Sequence, residues 1–298
     1  MAKKKKKKKD ILQDVEPKKS KKPLIITIIL IMLFGISCLL WARFISTEGL
    51  ITKEYPIKTK LLSEQYDGFK IIQFSDLHYG STVDLKEVKK VVKRINELKP
   101  DIIVFTGDLI DQDVKISDKE INDLIRELNK LEPKIDTLCV IGNHDYDHDY
   151  WNKIVPNLNW TQLDNTYEYV YGATDEKIVF VGLDDYTKGK PDYDNAFSFL
   201  NEQSEKIYTV VLLHEPDQID EIKNYDFDLA LAGHSHLGQV RLPFIGALYT
   251  VNGAKKYYDE QYKIGESYMY INGGIGESLI NIRFFNKPSI NLYRFYTK

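Results

Sequence analysis

Five short apolar runs in this chain each end in a polar cluster built from aspartate, asparagine or histidine. Phe69–Phe74 (FKIIQF) runs into Ser75-Asp76-Leu77-His78, and Ile102–Thr106 (IIVFT) into Gly107-Asp108. Leu138–Ile141 runs into Gly142-Asn143-His144-Asp145, Ile207–Leu213 into His214-Glu215-Pro216-Asp217, and Leu229–Ala232 into Gly233-His234-Ser235-His236. A β-rich apolar run of this length is the signature of a buried strand. Parallel strands bring their carboxyl ends to one edge of a sheet, which is where open α/β sheets bind ligands. One rule applied five times therefore gathers five of the six histidines at one place.

The segments between these runs support that reading. Asp84 to Leu98 is amphipathic with helical spacing, Asp84 and Glu87 stand in capping-box spacing, and Pro100 lies just past the end. Ser117 and Glu120 open a second helix expected to run to about Leu131, before Pro133. Further strands are expected at Lys177–Leu183 and Tyr268–Ile271. Strands alternating with such helices indicate an α/β domain with a largely parallel central sheet. In the second half β runs outnumber helices, which points to a mixed sheet or two packed sheets. No internal repeat interrupts the body.

The residue types carry the chemistry. In extended chain, residues two apart point the same way, so Asp76 with His78, and His234 with His236, each present two donors to one side. Asp108 offers a carboxylate at a strand end, and Asn143-His144-Asp145 an amide oxygen, an imidazole and a carboxylate in succession. Asp76, His78, Asp108, Asn143, His214, His234 and His236 together fit two divalent ions about 3.5–4 Å apart with one carboxylate bridging them. The mixed nitrogen and oxygen set suits Mn, Fe or Zn. Cys38 and Cys139 belong to neither a thiolate zinc site nor a disulfide framework. Asp111 is either a partner of the cluster or a solvated loop acid, and His148 reads as a surface residue at a helix start.

Ahead of this body, Leu24 to Trp41 is 18 residues without a charge, and Lys22 and Arg43 bracket 20. That length crosses roughly 30 Å of hydrocarbon as a helix. A cleavable signal peptide is the nearest rival, but no small-x-small site follows, and apolar residues continue past Cys38, which excludes a lipoprotein signal. The organisation expected is a lysine-rich tail at 1–23, a transmembrane signal anchor at 24–42, a stem at 43–65 and a domain at 66–298. The tail holds 11 lysines against three acids, a charge of +8; the remaining 30 basic and 41 acidic residues leave −11. The lysines place the N-terminus in the cytoplasm and the domain outside it by the positive-inside rule. An acidic body disfavours nucleic acid as a partner.

With these residues in view, the sequence resembles the calcineurin-like metallophosphoesterase family. Asp76-x-His78, Gly107-Asp108, Gly142-Asn143-His144-Asp145, His214 and Gly233-His234-Ser235-His236 match that family's five motifs in order, from about Lys70 to Val240. The ending from Tyr268 to Phe295 resembles a membrane-anchored bacterial subgroup that includes UDP-2,3-diacylglucosamine pyrophosphatase-type phosphoesterases. The resemblance implies a four-layer α/β/β/α sandwich. It implies that Asp76, His78 and His236 hold one metal, that Asp108 bridges, and that Asn143, His214 and His234 hold the second. His144 would contact the scissile phosphate as general acid or electrostatic stabiliser, with Asp145 orienting it. The subgroup usually reads Gly-His-Thr-His-Gly-Gly-Gln; Ser235 keeps the hydroxyl, whereas Leu237 for the first Gly bears on substrate fit.

The function expected is a dinuclear-metal-dependent phosphodiesterase or pyrophosphohydrolase, with Mn foremost among the metals. It would act by attack of metal-activated hydroxide on a membrane-proximal or lipid-linked phosphoester. A phosphomonoesterase would share every motif, and a non-catalytic surface binding module is the remaining alternative.

Overall fold

The computed structural model describes residues 21–201, 205–277 and 280–298. The lysine run up to residue 20 therefore lies outside the described residues. The chain divides between Leu40 and Trp41 into two units. In the first, helix α1 (Lys22–Phe44) begins; among the described residues it is the one helix long and apolar enough to cross a membrane, with mean hydropathy 2.8.

The second unit holds two six-stranded mixed sheets. The first contains β1 (Ile51–Lys58), β2 (Lys70–Phe74), β3 (Ile102–Thr106), β4 (Asp136–Val140), β5 (Thr161–Gln162) and β14 (Ser289–Tyr296), in the order β1-β14-β2-β3-β4-β5. Strands β2 to β5 are parallel, and β14 lies antiparallel to β2. The second contains β6 (Thr166–Tyr171), β7 (Lys177–Gly182), β8 (Tyr208–Leu212), β9 (Leu229–Ala232), β12 (Gln261–Ile264) and β13 (Ser267–Ile271), in the order β12-β13-β9-β8-β7-β6. Its middle strands β13, β9, β8 and β7 are parallel and its edges antiparallel. The short strands β10 (Arg241–Leu242) and β11 (Gly246–Ala247) form a separate hairpin.

Alternation along the strands sorts the apolar residues into three clusters. Ile71, Ile102, Val104 and Leu138 of the first sheet share one cluster with Ile178, Phe180, Val210 and Leu231 of the second. Their neighbours Ile72, Phe74, Ile103 and Phe105 pack with Val88, Val91 and Ile95 of α2 (Leu85–Leu98) and Leu124 of α3 (Asp118–Leu128). Val179, Val211 and Ala230 pack instead with Phe197, Phe199 and Ile222. One polar tie crosses the inner cluster: the buried Gln73 amide donates to Ala232 O at 2.9 Å and accepts from Tyr293 Oη at 2.6 Å. It couples β2 to β9, the two strands whose ends carry the Asp-x-His and His-x-His pairs.

Both expected helix starts are built as capped termini. The Asp84 carboxylate accepts from the N–H of Lys86 and Glu87, and Ser117 with Glu120 forms a reciprocal capping box. The second helix stops at Leu128 rather than near Leu131, because Lys130 and Leu131 bond to carbonyls three residues back and tighten the chain. A larger correction concerns the stem expected at 43–65: residues 51–58 are strand β1, paired in parallel with all of β14. Its polar side chains hide it from pattern reading. Thr52 accepts from Arg94 Nε at 2.9 Å and Glu54 from Arg294 Nε at 2.6 Å, so the ladder forms while only Ile57 is fully buried.

Candidate metal centre

The carboxyl ends of β2, β3 and β4 meet those of β8 and β9, and the chain must turn sharply at each. Five of the residues that make these turns have left-handed backbones although none is glycine: Asp76 (φ 51°), His78 (46°), Asp108 (61°), His234 (63°) and His236 (45°). Such conformations are costly for side chains with a Cβ and concentrate where surrounding structure enforces them for function. Gly107, at φ 91°, is required: a Cβ there would lie 2.6 Å from His214 Nδ1 and 2.8 Å from Gly142 Cα.

The turns bring all seven expected metal-ligating residues together. His78 Nε2 lies 3.2 Å from His236 Nε2, and His236 Nε2 lies 3.5 Å from Asp76 Oδ1. Asp108 Oδ2 lies 3.2 Å from His214 Nε2 and 3.7 Å from His78 Nε2, so this one carboxylate faces both groups. His214 Nε2 is 3.0 Å from Asn143 Oδ1 and 3.2 Å from His234 Nδ1. Three overlapping groups each set their donor atoms within 4.8 Å of one another: Asp76, His78 and His236; His78, Asp108 and His144; and Asp108, His214 and His234. All of these side chains are buried.

Protonation differs across the cluster: burial opposes a charge on His214, but Asp108 and Asp76 outweigh it and raise its pKa well above the histidine range. Burial first, and then the His214 charge, depress His234 to about 3, while burial and His78 hold His236 well below the histidine range. Burial alone would raise Asp108, but His214 and His144 outweigh it and hold the carboxyl well below the carboxylate range. Neutral imidazoles and an ionised carboxylate are the forms in which these side chains donate to a cation. His78 Nε2 and His236 Nε2, and likewise His214 Nε2 and His234 Nδ1, point at one another from 3.2 Å, an arrangement of nitrogens that a bound cation relieves. The residues fit a divalent metal.

His144 sits over this cluster, its Nε2 4.0 Å from Asp108 Oδ2. Its Nδ1 bonds Asp111 Oδ1 at 2.9 Å. Burial opposes protonation of the ring, but Asp108 and Asp111 outweigh it and raise the pKa. Asp111 is thus a partner of the cluster. Asp145, expected to orient His144, does something else. Its carboxylate accepts from the backbone N–H of Asp108, Leu109 and Gly142 at 2.9 to 3.0 Å, fixing the turn that carries Asp108. His148, expected at the surface, is half-buried, with Nε2 bonded to Asp111 O at 3.2 Å.

Glu215 is a functional candidate that pattern reading left without a role. It is buried, accepts from Thr187 Oγ1 at 2.8 Å, and its Oε1 lies 3.8 Å from His234 Nε2. Burial, then Asp185 beside it, push its carboxyl up to about 7. Its adjacency to His214 was the one available signal. Arg283 was invisible, because no local pattern marks it. Fully buried, it bonds Glu277 Oε1 at 2.9 Å and the carbonyls of Gly273 and Gly276 at 2.8 and 2.6 Å. The loop it clamps closes behind the site, since Gly276 N donates to Asp76 O at 2.8 Å. The open side is a pocket of about 330 Å³ whose walls include His144, Thr187, Lys188 and Tyr249.

Comparison with known proteins agrees with this constellation. Residues 69–238 match the model of a family described as calcineurin-like phosphoesterase. The chain is 37% identical to the uncharacterized metallophosphoesterase YkuE of Bacillus subtilis, over 85% of this chain and 88% of that protein. It is 27% identical to the phosphodiesterase YaeI of Escherichia coli, over 75% of this chain and 81% of that one. It is 25% identical to the UDP-2,3-diacylglucosamine pyrophosphatase LpxG of Chlamydia muridarum, over 76% and 83% respectively.

Proposed function

The chain belongs to the calcineurin-like phosphoesterase family, and from that premise we propose that it is a dinuclear phosphodiesterase or pyrophosphohydrolase acting on a membrane-proximal or lipid-linked substrate. The observation that carries the reading is the buried Asp108 carboxylate, which faces His78 on one side and His214 on the other. Asp76, His78 and His236 would hold one ion, Asn143, His214 and His234 the second, and Asp108 both. Mn is the metal we favour for this nitrogen and oxygen set. Two such ions supply Lewis acidity toward phosphoryl oxygens and lower the pKa of water near neutrality.

The chain's own residues do the rest. His144, raised in pKa and held by Asp111, stands where it can donate a proton from Nε2 to a leaving oxygen or steady the charge developing there. Asp145 keeps the Asp108 turn rigid through three backbone N–H bonds. Lys188, on the pocket wall, has its ammonium held by the Asp147 carboxylate.

Helix α1 is read as a single-pass anchor with the N-terminus cytoplasmic and the catalytic body outside; protease added to intact cells would then digest the body. The lipid-linked substrate class is supported by this tether and by the relative named as a diacylglucosamine pyrophosphatase. A panel of phosphomonoesters, phosphodiesters and nucleotide-lipid pyrophosphates, assayed with Mn and with Asp108→Ala as blank, tests the reading. Turnover of diesters or pyrophosphates that vanishes in the blank is the expected result. Preference for monoesters would move the assignment to a phosphomonoesterase, and equal turnover in the blank would overturn it.

A further inference from the structure

The hairpin of β10 and β11 carries apolar side chains that the domain leaves in solvent. Phe244 at its tip is 108% exposed, Ile245 71%, and the following Leu248 and Tyr249 55% and 63%. A folded soluble surface seldom gathers large apolar side chains this way unless they meet something. The patch extends beyond the hairpin. Arg241 N donates to Phe284 O at 2.9 Å, and Phe284 N to Gln239 O at 3.2 Å, so the segment after residue 280 lies alongside. That segment adds Ile280, 64% exposed, and Phe285, 59% exposed.

Two further observations say what covers this face. The first is continuity with the point where the chain enters this unit: the Trp41 ring packs on Phe284 and Phe285, with centroids 5.2 and 5.8 Å away, and Arg283 N donates to Ala42 O at 3.1 Å. Trp41, the last residue of the uncharged stretch, thus belongs to the same surface. The second is charge. In a body of net −11, residues 237–251 and 280–288 contain no acid; Arg241 at the edge is paired with Asp259, while Lys287 and, beside the Tyr249 ring, Lys255 are basic. An apolar face edged with lysines complements an anionic lipid surface.

We propose that the Phe244–Ile245 hairpin, with Leu248, Ile280 and Phe285, is a second membrane contact that inserts into the acyl region of the bilayer. Behind the patch, an apolar groove of about 150 Å³ lined by Val240, Val251 and Ile282 reaches Ser235 and His236. This surface rests on the reading of α1 as an anchor, and its insertion can be measured independently of catalysis.

The test uses the full chain with Cys38→Ala, leaving Cys139 buried, and single cysteines introduced as Ile245→Cys, Leu248→Cys or, as a solvent reference, Glu266→Cys. Each is labelled with a polarity-sensitive fluorophore and reconstituted into phosphatidylethanolamine–phosphatidylglycerol vesicles with or without doxyl-labelled lipid. The labels at 245 and 248 are expected to shift to the blue and lose emission to the doxyl lipid, while the label at 266 does neither. Adding Phe244→Asp is expected to remove the quenching at 248. Doxyl quenching at 245 and 248 no greater than at 266, in protein that floats with the vesicles, overturns the proposal and leaves the anchor standing. Self-quenching at 245 that rises with protein density, without doxyl quenching, also overturns it and assigns the face to a second copy of the chain. Turnover of a soluble aryl phosphodiester by the same labelled proteins reports on the catalytic reading separately.

Discussion

His144 and its partner Asp111 make the sharpest case for a division of labour between neighbouring residues. The ring reaches toward Asp108, but it is held from behind by a carboxylate that is not one of the seven donors. His144→Ala is expected to lower kcat by about 100- to 10,000-fold, the range for loss of a positioned general acid, with metal content unchanged. Asp111→Asn is expected to cost less, roughly tenfold, and to move the alkaline limb of the pH–rate profile to lower pH, because a general acid acts protonated and the carboxylate charge raises the ring's pKa. Steady-state kinetics with metal analysis on the same preparations separates these from a ligand loss. That these seven residues come together was legible because each stands within three residues of a strand end or within two of another of them. The work of Asp145 was not. A carboxylate two residues from Asn143 looks like one more polar group of the site, and only the folded turn shows it bonding three backbone N–H groups.

At the scale of elements, the strands that end in the site were readable because they are buried on both faces and therefore continuously apolar. Strand β1 was not, since an edge strand needs only its backbone ladder and tolerates Lys53 and Glu54 in its middle. The loop between β13 and β14 was opaque for another reason: its order comes from Arg283, whose fully buried guanidinium holds Glu277 and three glycine carbonyls. Removing one partner of a buried pair strands the other charge. Glu277→Ala is accordingly expected to destabilise the folded domain by about 3–5 kcal/mol, read as a lowered midpoint in urea. Because Gly276 N in that loop donates to Asp76 O, the same variant is expected to bind metal more weakly.

For the whole molecule, the resemblance implied a four-layer α/β/β/α sandwich, and among the described residues the chain builds two six-stranded mixed sheets tied across by Gln73. The net charge of −3 averages a basic tail and an acidic body, and part of the body's charge is the price of a cation site: Asp76 and Asp108 are buried carboxylates that a divalent ion compensates. Folding and metal binding are therefore linked. A metal at 100 times its dissociation constant adds about 2.7 kcal/mol, so chelation is expected to lower the melting temperature by on the order of 5 °C or more. The most direct test of the central claim is the number of divalent ions held by the purified chain, counted by mass spectrometry after dialysis against Mn, beside Asp108→Ala. About two ions per chain, falling to about one or fewer in the variant with loss of phosphodiester turnover, is the result expected of a dinuclear site. An unchanged ion count in Asp108→Ala, or a fully active chain holding none, would contradict it.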